Sequence, residues 1–323
     1  MDSVLVIGGT RFIGRHAVTE FRDHDYDVTV FNRGNHDVPD GVRHVEGDRT
    51  NDSALERARE ETEPDVVVDC VAYQPKDVRA ATEIFRDCEA YVYVSSGSAY
   101  GEEVIPKRED ETPLHDCTPE QARDDSPESY GPRKAEGDRA VFEAAERGVR
   151  ATSIRPPVVY GPYDYTERFD YWIDRVLNHD RLVVPYTHLR HLVYAGDVAS
   201  ALRVVAEAGE AGEAYNVADH TLPVLTEWVD LLAEEVGEDV EVVEAGEREL
   251  AAGDLSPADF PLYRDYPHVL DTSKLEALGW EATPHEETVP ATVEEHRESD
   301  RTGRENGPAR EAEERVLDVL STF

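Results

Sequence analysis

Val4-Leu5-Val6-Ile7-Gly8-Gly9-Thr10-Arg11-Phe12-Ile13-Gly14 decides how this chain is organised. Val4–Ile7 is short, apolar and β-branched, as a buried strand should be, and an amphipathic helical pattern begins beyond the turn. Glycines at such a junction let the backbone bend tightly and approach a pyrophosphate, which the following helix N-terminus stabilises through free N–H groups and its dipole. Gly8, Gly9, Thr10, Arg11, Phe12, Ile13 and Gly14 are therefore the candidate dinucleotide turn. Its pattern is Gly-x-x-Arg-x-x-Gly, with Arg11 where a third glycine would complete the usual form.

Further short apolar runs follow at Asp27–Phe31, Val42–Glu46, Val66–Val71, Tyr91–Ser95 and Ala151–Arg155, with helical stretches between most of them. Strand–helix alternation predicts a parallel sheet covered on both faces, with ligands at the carboxyl ends of its strands. The expected fold class is α/β: a Rossmann-type doubly wound sheet with a smaller mixed α/β substrate-binding region. Residues 1–162 are read as the dinucleotide-binding domain and 163–297 as the smaller region. A strand near Leu192–Tyr194 and a helix over Val198–Glu207 suggest that the first domain is revisited near 190–208. Residues 298–323 read as a polar link and a terminal helix, on which Val316, Leu320 and Phe323 share one stripe. Gly101–Ser129, acidic and carrying Pro106, Pro113, Pro119 and Pro127, reads as a surface excursion.

The second strand ends in Phe31-Asn32-Arg33-Gly34. An acid there would bind the adenosine 2′-hydroxyl of NAD, whereas Arg33, with Arg11 converging, suits a 2′-phosphate. NADP is therefore favoured, with NAD the alternative. Asp48 is a candidate for the adenine amino group, and Ala72 and Tyr73 would line the cofactor path. Tyr130-Gly131-Pro132-Arg133-Lys134 opens a helix in which Tyr130 and Lys134 lie one turn apart on one face. Upstream, Ser95-Ser96-Gly97-Ser98 presents hydroxyls at a carboxyl edge of the sheet. Oxidising a carbinol requires removal of the hydroxyl proton, and a phenol of ordinary pKa near 10 is too weak a base for that at neutral pH. A nearby ammonium lowers it.

The 323 residues are enough for one large α/β domain or two packed ones. Asp and Glu number 71 against 33 Lys and Arg, a formal net charge of −38, which makes nucleic acid and anionic membranes poor partners. Only Lys76, Lys107, Lys134 and Lys274 are lysines, so the surplus resembles that of proteins from salt-loving cells. Cys70, Cys88 and Cys117 show no disulfide or zinc-ligand spacing, and no metal site is expected. Neither a signal peptide nor a membrane span is visible, and a soluble cytoplasmic protein is expected.

These features together resemble an extended short-chain dehydrogenase/reductase of the NAD-dependent epimerase/dehydratase family, over roughly residues 3–297. The resemblance also rests on Arg155-Pro156-x-x-Val159-Tyr160-Gly161-Pro162, Arg190–Ala199, Tyr215-Asn216-Val217 and Asp271–Leu275 with Leu278-Gly279-Trp280. It implies Tyr130 as base, Lys134 as its electrostatic partner and ribose ligand, Ser96 as donor to the substrate oxygen, and Pro156 beside the nicotinamide. It implies a sugar-like small-molecule substrate and a homodimer. Gly97 and Ser98 stand where the family's 4,6-dehydratases carry Asp-Glu, which argues against dehydration. Val158 replaces an Asn that contacts the sugar nucleotide in many relatives. Arg190 matches a diphosphate-binding arginine that Arg264 could join. The same glycine turn also resembles an atypical branch that includes chloroplast stem-loop RNA-binding proteins, the rival reading.

Overall fold

The computed structural model describes residues 1–321, so Phe323 lies outside the described residues. The strands in chain order are β1 (Ser3–Ile7), β2 (Asp27–Asn32), β3 (Arg43–Glu46), β4 (Val66–Asp69), β5 (Ala90–Val94), β6 (Ala151–Arg155), β7 (Val158–Tyr160), β8 (Arg181–Pro185), β9 (Leu192–Tyr194), β10 (Ala214–Asn216) and β11 (Glu241–Ala245). The longer helices are α1 (Phe12–Asp23), α2 (Asp52–Thr62), α3 (Pro75–Ile84), α4 (Tyr130–Glu146), α5 (Asp170–Asn178), α6 (Ala195–Ala208) and α7 (Leu225–Val236). Single turns α8 (Glu247–Leu250) and α9 (Ser273–Glu276) precede α10 (His285–Glu298) and α11 (Arg310–Leu320). Among the described residues no helix is long and apolar enough to cross a membrane.

Seven strands form one sheet in the order β10-β6-β5-β4-β1-β2-β3, all pairs parallel. Side chains alternate faces along a strand, and here both faces are buried. Val4 and Val6 pack with Val18 and Phe21 of α1 and Leu202 of α6, while Leu5 and Ile7 pack with Leu55 of α2, Val78 of α3 and Val141 of α4. From β1 the chain first builds outward to β2 and β3, then returns to add β4, β5 and β6 on the other side. The order reverses beside β1, which opens a crevice at the carboxyl ends of the strands, where the glycine turn lies.

The chain divides into two compact units, each discontinuous. The first comprises residues 1–159, 193–218 and 270–282. Residues 270–282, which alternation alone leaves in the smaller region, belong to the first because Leu275 and Trp280 enter its core. The Trp280 indole N–H is held by the Asp197 carbonyl at 3.2 Å and Ser200 Oγ at 3.0 Å. The excursion after Gly101 is also tied down. Lys107 is buried, its ammonium donating to Glu103 and to the Glu102 carbonyl, and its backbone bridges to Leu270.

The second unit comprises residues 160–192, 219–269 and 283–323. Tyr160, Phe169 and Trp228 cluster with ring centroids 4.9–5.3 Å apart, and β8 pairs with β11. The terminal helix docks through Val316 and Leu317, and also through a buried acid that an apolar stripe does not disclose. Glu313 accepts from Tyr171 Oη at 2.9 Å and from Arg175 Nε at 2.8 Å. Tyr171→Phe deletes one charge-assisted hydrogen bond in this buried cluster. It is expected to cost about 2 kcal/mol in urea unfolding; a change under about 0.5 kcal/mol would show that Arg175 and Arg310 hold the carboxylate without it.

Candidate active site

The turn after β1 is shaped by backbone crowding. A Cβ on Gly14 would lie 2.3 Å from the Gly8 carbonyl oxygen, and Gly8 itself has φ +93°. Only glycine satisfies both demands. Arg11, exposed and in extended conformation, takes the N-cap position of α1, and the strained backbone falls instead on Phe12, with φ 36°. Helix α1 has no side-chain cap and no acid in its first turn. Its N-terminal N–H groups and positive dipole end therefore suit an anionic group, and this cradle fits a dinucleotide pyrophosphate.

At the end of β2, Asn32 is held from three sides. Its Nδ2 donates to Thr10 Oγ1 at 3.1 Å, and its Oδ1 accepts from the Gly34 N–H at 2.7 Å and from His44 Nε2 at 3.1 Å. The side chain pins the turn and leaves Arg33 exposed beyond it. Asp48 is occupied locally: it accepts from the Thr50 N–H at 2.9 Å and hydroxyl at 2.8 Å, bonds that lower its pKa, with a smaller contribution from nearby Arg33. Sequence reasoning missed His44, whose contact with Asn32 depends on the pairing of β3 with β2.

Ser96 follows β5, and its Oγ accepts the Ser98 N–H at 3.1 Å, which leaves its hydrogen to donate elsewhere. Tyr130 is the first residue of α4. That helix start lies against the serine turn: a Cβ on Gly131 would meet the Ser98 carbonyl oxygen at 2.5 Å, so Gly131 permits the close approach. Pro156 accepts the Gly97 N–H at 2.8 Å, joining the end of β6 to the same turn. Lys134 is buried and donates to the Val94 carbonyl at 2.8 Å and the Ala72 carbonyl at 3.3 Å. Its ammonium lies 4.8 Å from the ring centroid of Tyr93, 5.6 Å from Tyr73 and 5.9 Å from Tyr130. Burial pulls its pKa down to about 8, against which the carboxylates of Asp69 and Asp138 hold it up. Lys134 thus keeps its charge at neutral pH inside a ring of phenols.

In the second unit Arg190 donates from Nη1 to the carbonyls of Leu262 at 2.9 Å and Tyr263 at 3.2 Å, and its Nε has no partner. Burial, then the like charges of Arg168 and Arg264, depress its pKa to about 9. Three guanidinium groups are thus near enough to feel one another's charge, a local positive cluster in a chain of net charge −38. Arg168 was not expected from sequence, since it lies in an irregular stretch between strands. Val158 is buried at the end of the first unit, and Ser98 is exposed.

Known proteins carry the same architecture. A stem-loop binding protein of 41 kDa from Arabidopsis thaliana chloroplasts is 25% identical over 233 residues, 66% of this chain and 58% of that protein. The chain thus spans under two thirds of that relative's length. Among solved structures, dTDP-glucose 4,6-dehydratase from Bacillus anthracis in complex with NAD superimposes with TM-score 0.72 at 21% identity, over 93% of this chain and 98% of that one. UDP-glucose 4-epimerase from Thermotoga maritima with UDP-glucose gives TM-score 0.71 at 22% identity, over 92% and 99%. At such identities these structures establish the fold alone. The sequence model of one family, described as NAD dependent epimerase/dehydratase, matches residues 4–218, from β1 through the glycine turn and the Tyr-x-x-x-Lys helix to the end of the sheet. The chain belongs to the NAD dependent epimerase/dehydratase family.

Proposed function

We propose that this chain is an NAD(P)-dependent epimerase or reductase that works by hydride transfer on a sugar or sugar-nucleotide-like substrate, with Tyr130 as the base. The observation that carries this reading is the Lys134 ammonium, buried and held by the Val94 and Ala72 carbonyls within 5.9 Å of the Tyr130 ring. A bound nicotinamide supplies the hydride acceptor and donor. Tyr130 takes the carbinol proton, Lys134 stabilises the phenolate and reaches a ribose hydroxyl, and Ser96 donates to the substrate oxygen. Gly97 and Ser98 offer no carboxyl for elimination, which favours epimerisation or reduction over dehydration. Arg33 and Arg11 favour NADP over NAD.

The cluster of Arg168, Arg190 and Arg264 supports a substrate that carries phosphate. Arg190→Ala is expected to weaken UDP-glucose binding at least about tenfold by calorimetry while NADP binding stays within about twofold. Undiminished UDP-glucose affinity would remove Arg190 from the substrate site.

The rival, a nucleic-acid-binding or regulatory protein with weak or no catalysis, has the stem-loop binding relative in its favour and the net charge of −38 against it. Both are tested together in molar KCl, which screens the carboxylate surface. Fluorescence-monitored binding of NADPH and NADH, followed by turnover of sugar nucleotides, supports the enzyme. Retention of stem-loop RNA without coenzyme binding would overturn it.

A further inference from the structure

One buried ion pair connects the segments that carry Ser96, Lys134 and Pro156. Asp138 lies one turn beyond Lys134 on α4 and is fully buried. Its Oδ2 accepts from Arg155 Nε at 2.8 Å, while its Oδ1 is desolvated without a partner. Arg155 immediately precedes Pro156, and its Nη1 donates to Tyr100 Oη at 3.0 Å, with the guanidinium 4.8 Å from that ring's centroid. Tyr100, four residues after Ser96, donates in turn to Asn216 Oδ1 at 2.7 Å. The Asn216 amide is fixed by the carbonyls of Lys107 at 3.1 Å and Asp271 at 3.0 Å. A shift of α4, the serine turn or the end of β6 would therefore strain the same hydrogen-bonded chain.

Stability alone does not account for such an arrangement, since well-packed apolar residues commonly stabilise a core as well as a buried pair does. We infer that Asp138, held by an Arg155 guanidinium that Tyr100 fixes in turn, is a positioning residue that sets the Lys134 ammonium in register beside Tyr130. This inference rests on the reading of Tyr130 and Lys134 as the reacting pair. Other titratable groups also face Lys134. Asp69 does so from the end of β4 and Cys70 from just after it, with Tyr73 beyond them; Tyr93 faces it from β5, and Tyr130 and Arg133 from its own helix. Asp69 is already engaged by Arg49, by Tyr91 Oη at 3.1 Å and by the Val71 N–H at 3.2 Å, and it does not move with α4. Asp138 is the carboxylate that travels with the ammonium.

The chain has only four lysines, so carbon-13 labelling at lysine Cε gives four NMR signals, and Lys134→Arg identifies the one of interest. Titrated in the full chain, Lys134 is expected to have its midpoint near pH 8. Asp138→Asn should move it down by about one unit, because the carboxylate is lost and Arg155 is left uncompensated, both disfavouring the ammonium. Asp138→Glu should restore it. Arg155→Gln frees the carboxylate and should raise the midpoint by about half a unit or more. A merely structural pair would lower thermal stability and leave Lys134 where it was. An unmoved midpoint in either folded variant overturns the inference. No substrate enters the measurement, so it can fail while turnover by Tyr130 stands, or hold while that reading falls.

Discussion

Tyr130→Phe is expected to lower kcat by about a thousandfold while the dissociation constant for NADP changes by less than about twofold. The substitution removes one oxygen. It keeps the ring, and with it the start of α4, whose approach to the serine turn is set by Gly131. The effect must therefore come from the lost phenol, and its size is that of a positioned general base. Two other phenols surround the same ammonium and could in principle replace it. Tyr93 lies closer to Lys134 than Tyr130 does, but burial raises its pKa well above 10, so it holds its proton. Tyr73 is 46% exposed and is the stronger competitor. Tyr73→Phe should accordingly leave kcat within about threefold. Turnover retained by Tyr130→Phe but lost by Tyr73→Phe would transfer the role of base.

The sheet was legible because its strands are continuous apolar runs, as strands covered on both faces must be. Their limits were less so. The fourth run reads as extending to Val71, yet β4 stops at Asp69, whose carboxylate binds Arg49 and turns the chain through the Val71 N–H. The return of residues 270–282 to the first unit has no local signature, because Leu275 and Trp280 are apolar in either assignment and only packing selects between them. In the candidate site, Gly8, Gly14, Tyr130 and Lys134 could be named from spacing, since the glycine turn and the Tyr-x-x-x-Lys helical turn are local patterns. His44, Arg168 and the Asp138–Arg155 pair could not. Their partners lie on strands or loops brought together by the fold, and a charged residue in so acidic a chain reads first as part of the solvated surface.

Under the proposed function, Arg33 is the residue expected to choose the coenzyme. Because Asn32 is fixed by Thr10, the Gly34 N–H and His44, replacing Arg33 should change a side chain without disturbing the turn. Arg33→Asp removes a guanidinium suited to a 2′-phosphate, substitutes a charge that repels it, and supplies an acceptor for the 2′-hydroxyl of NAD. A lost charge-assisted contact is worth about 1.5–3 kcal/mol, and repulsion with the new hydrogen bond brings the total to about 4 kcal/mol. The ratio of NADH to NADPH dissociation constants should thus fall about a thousandfold. The net charge of −38 opposes the more anionic coenzyme from every direction, but in molar KCl that field is screened beyond about 3 Å, whereas a direct contact persists. A preference for NADPH that survives molar KCl in the parent protein and collapses in Arg33→Asp therefore locates the discrimination at this side chain. An unchanged ratio would leave Arg33 as the electrostatic neighbour of Asp48 and pass the choice to Arg11.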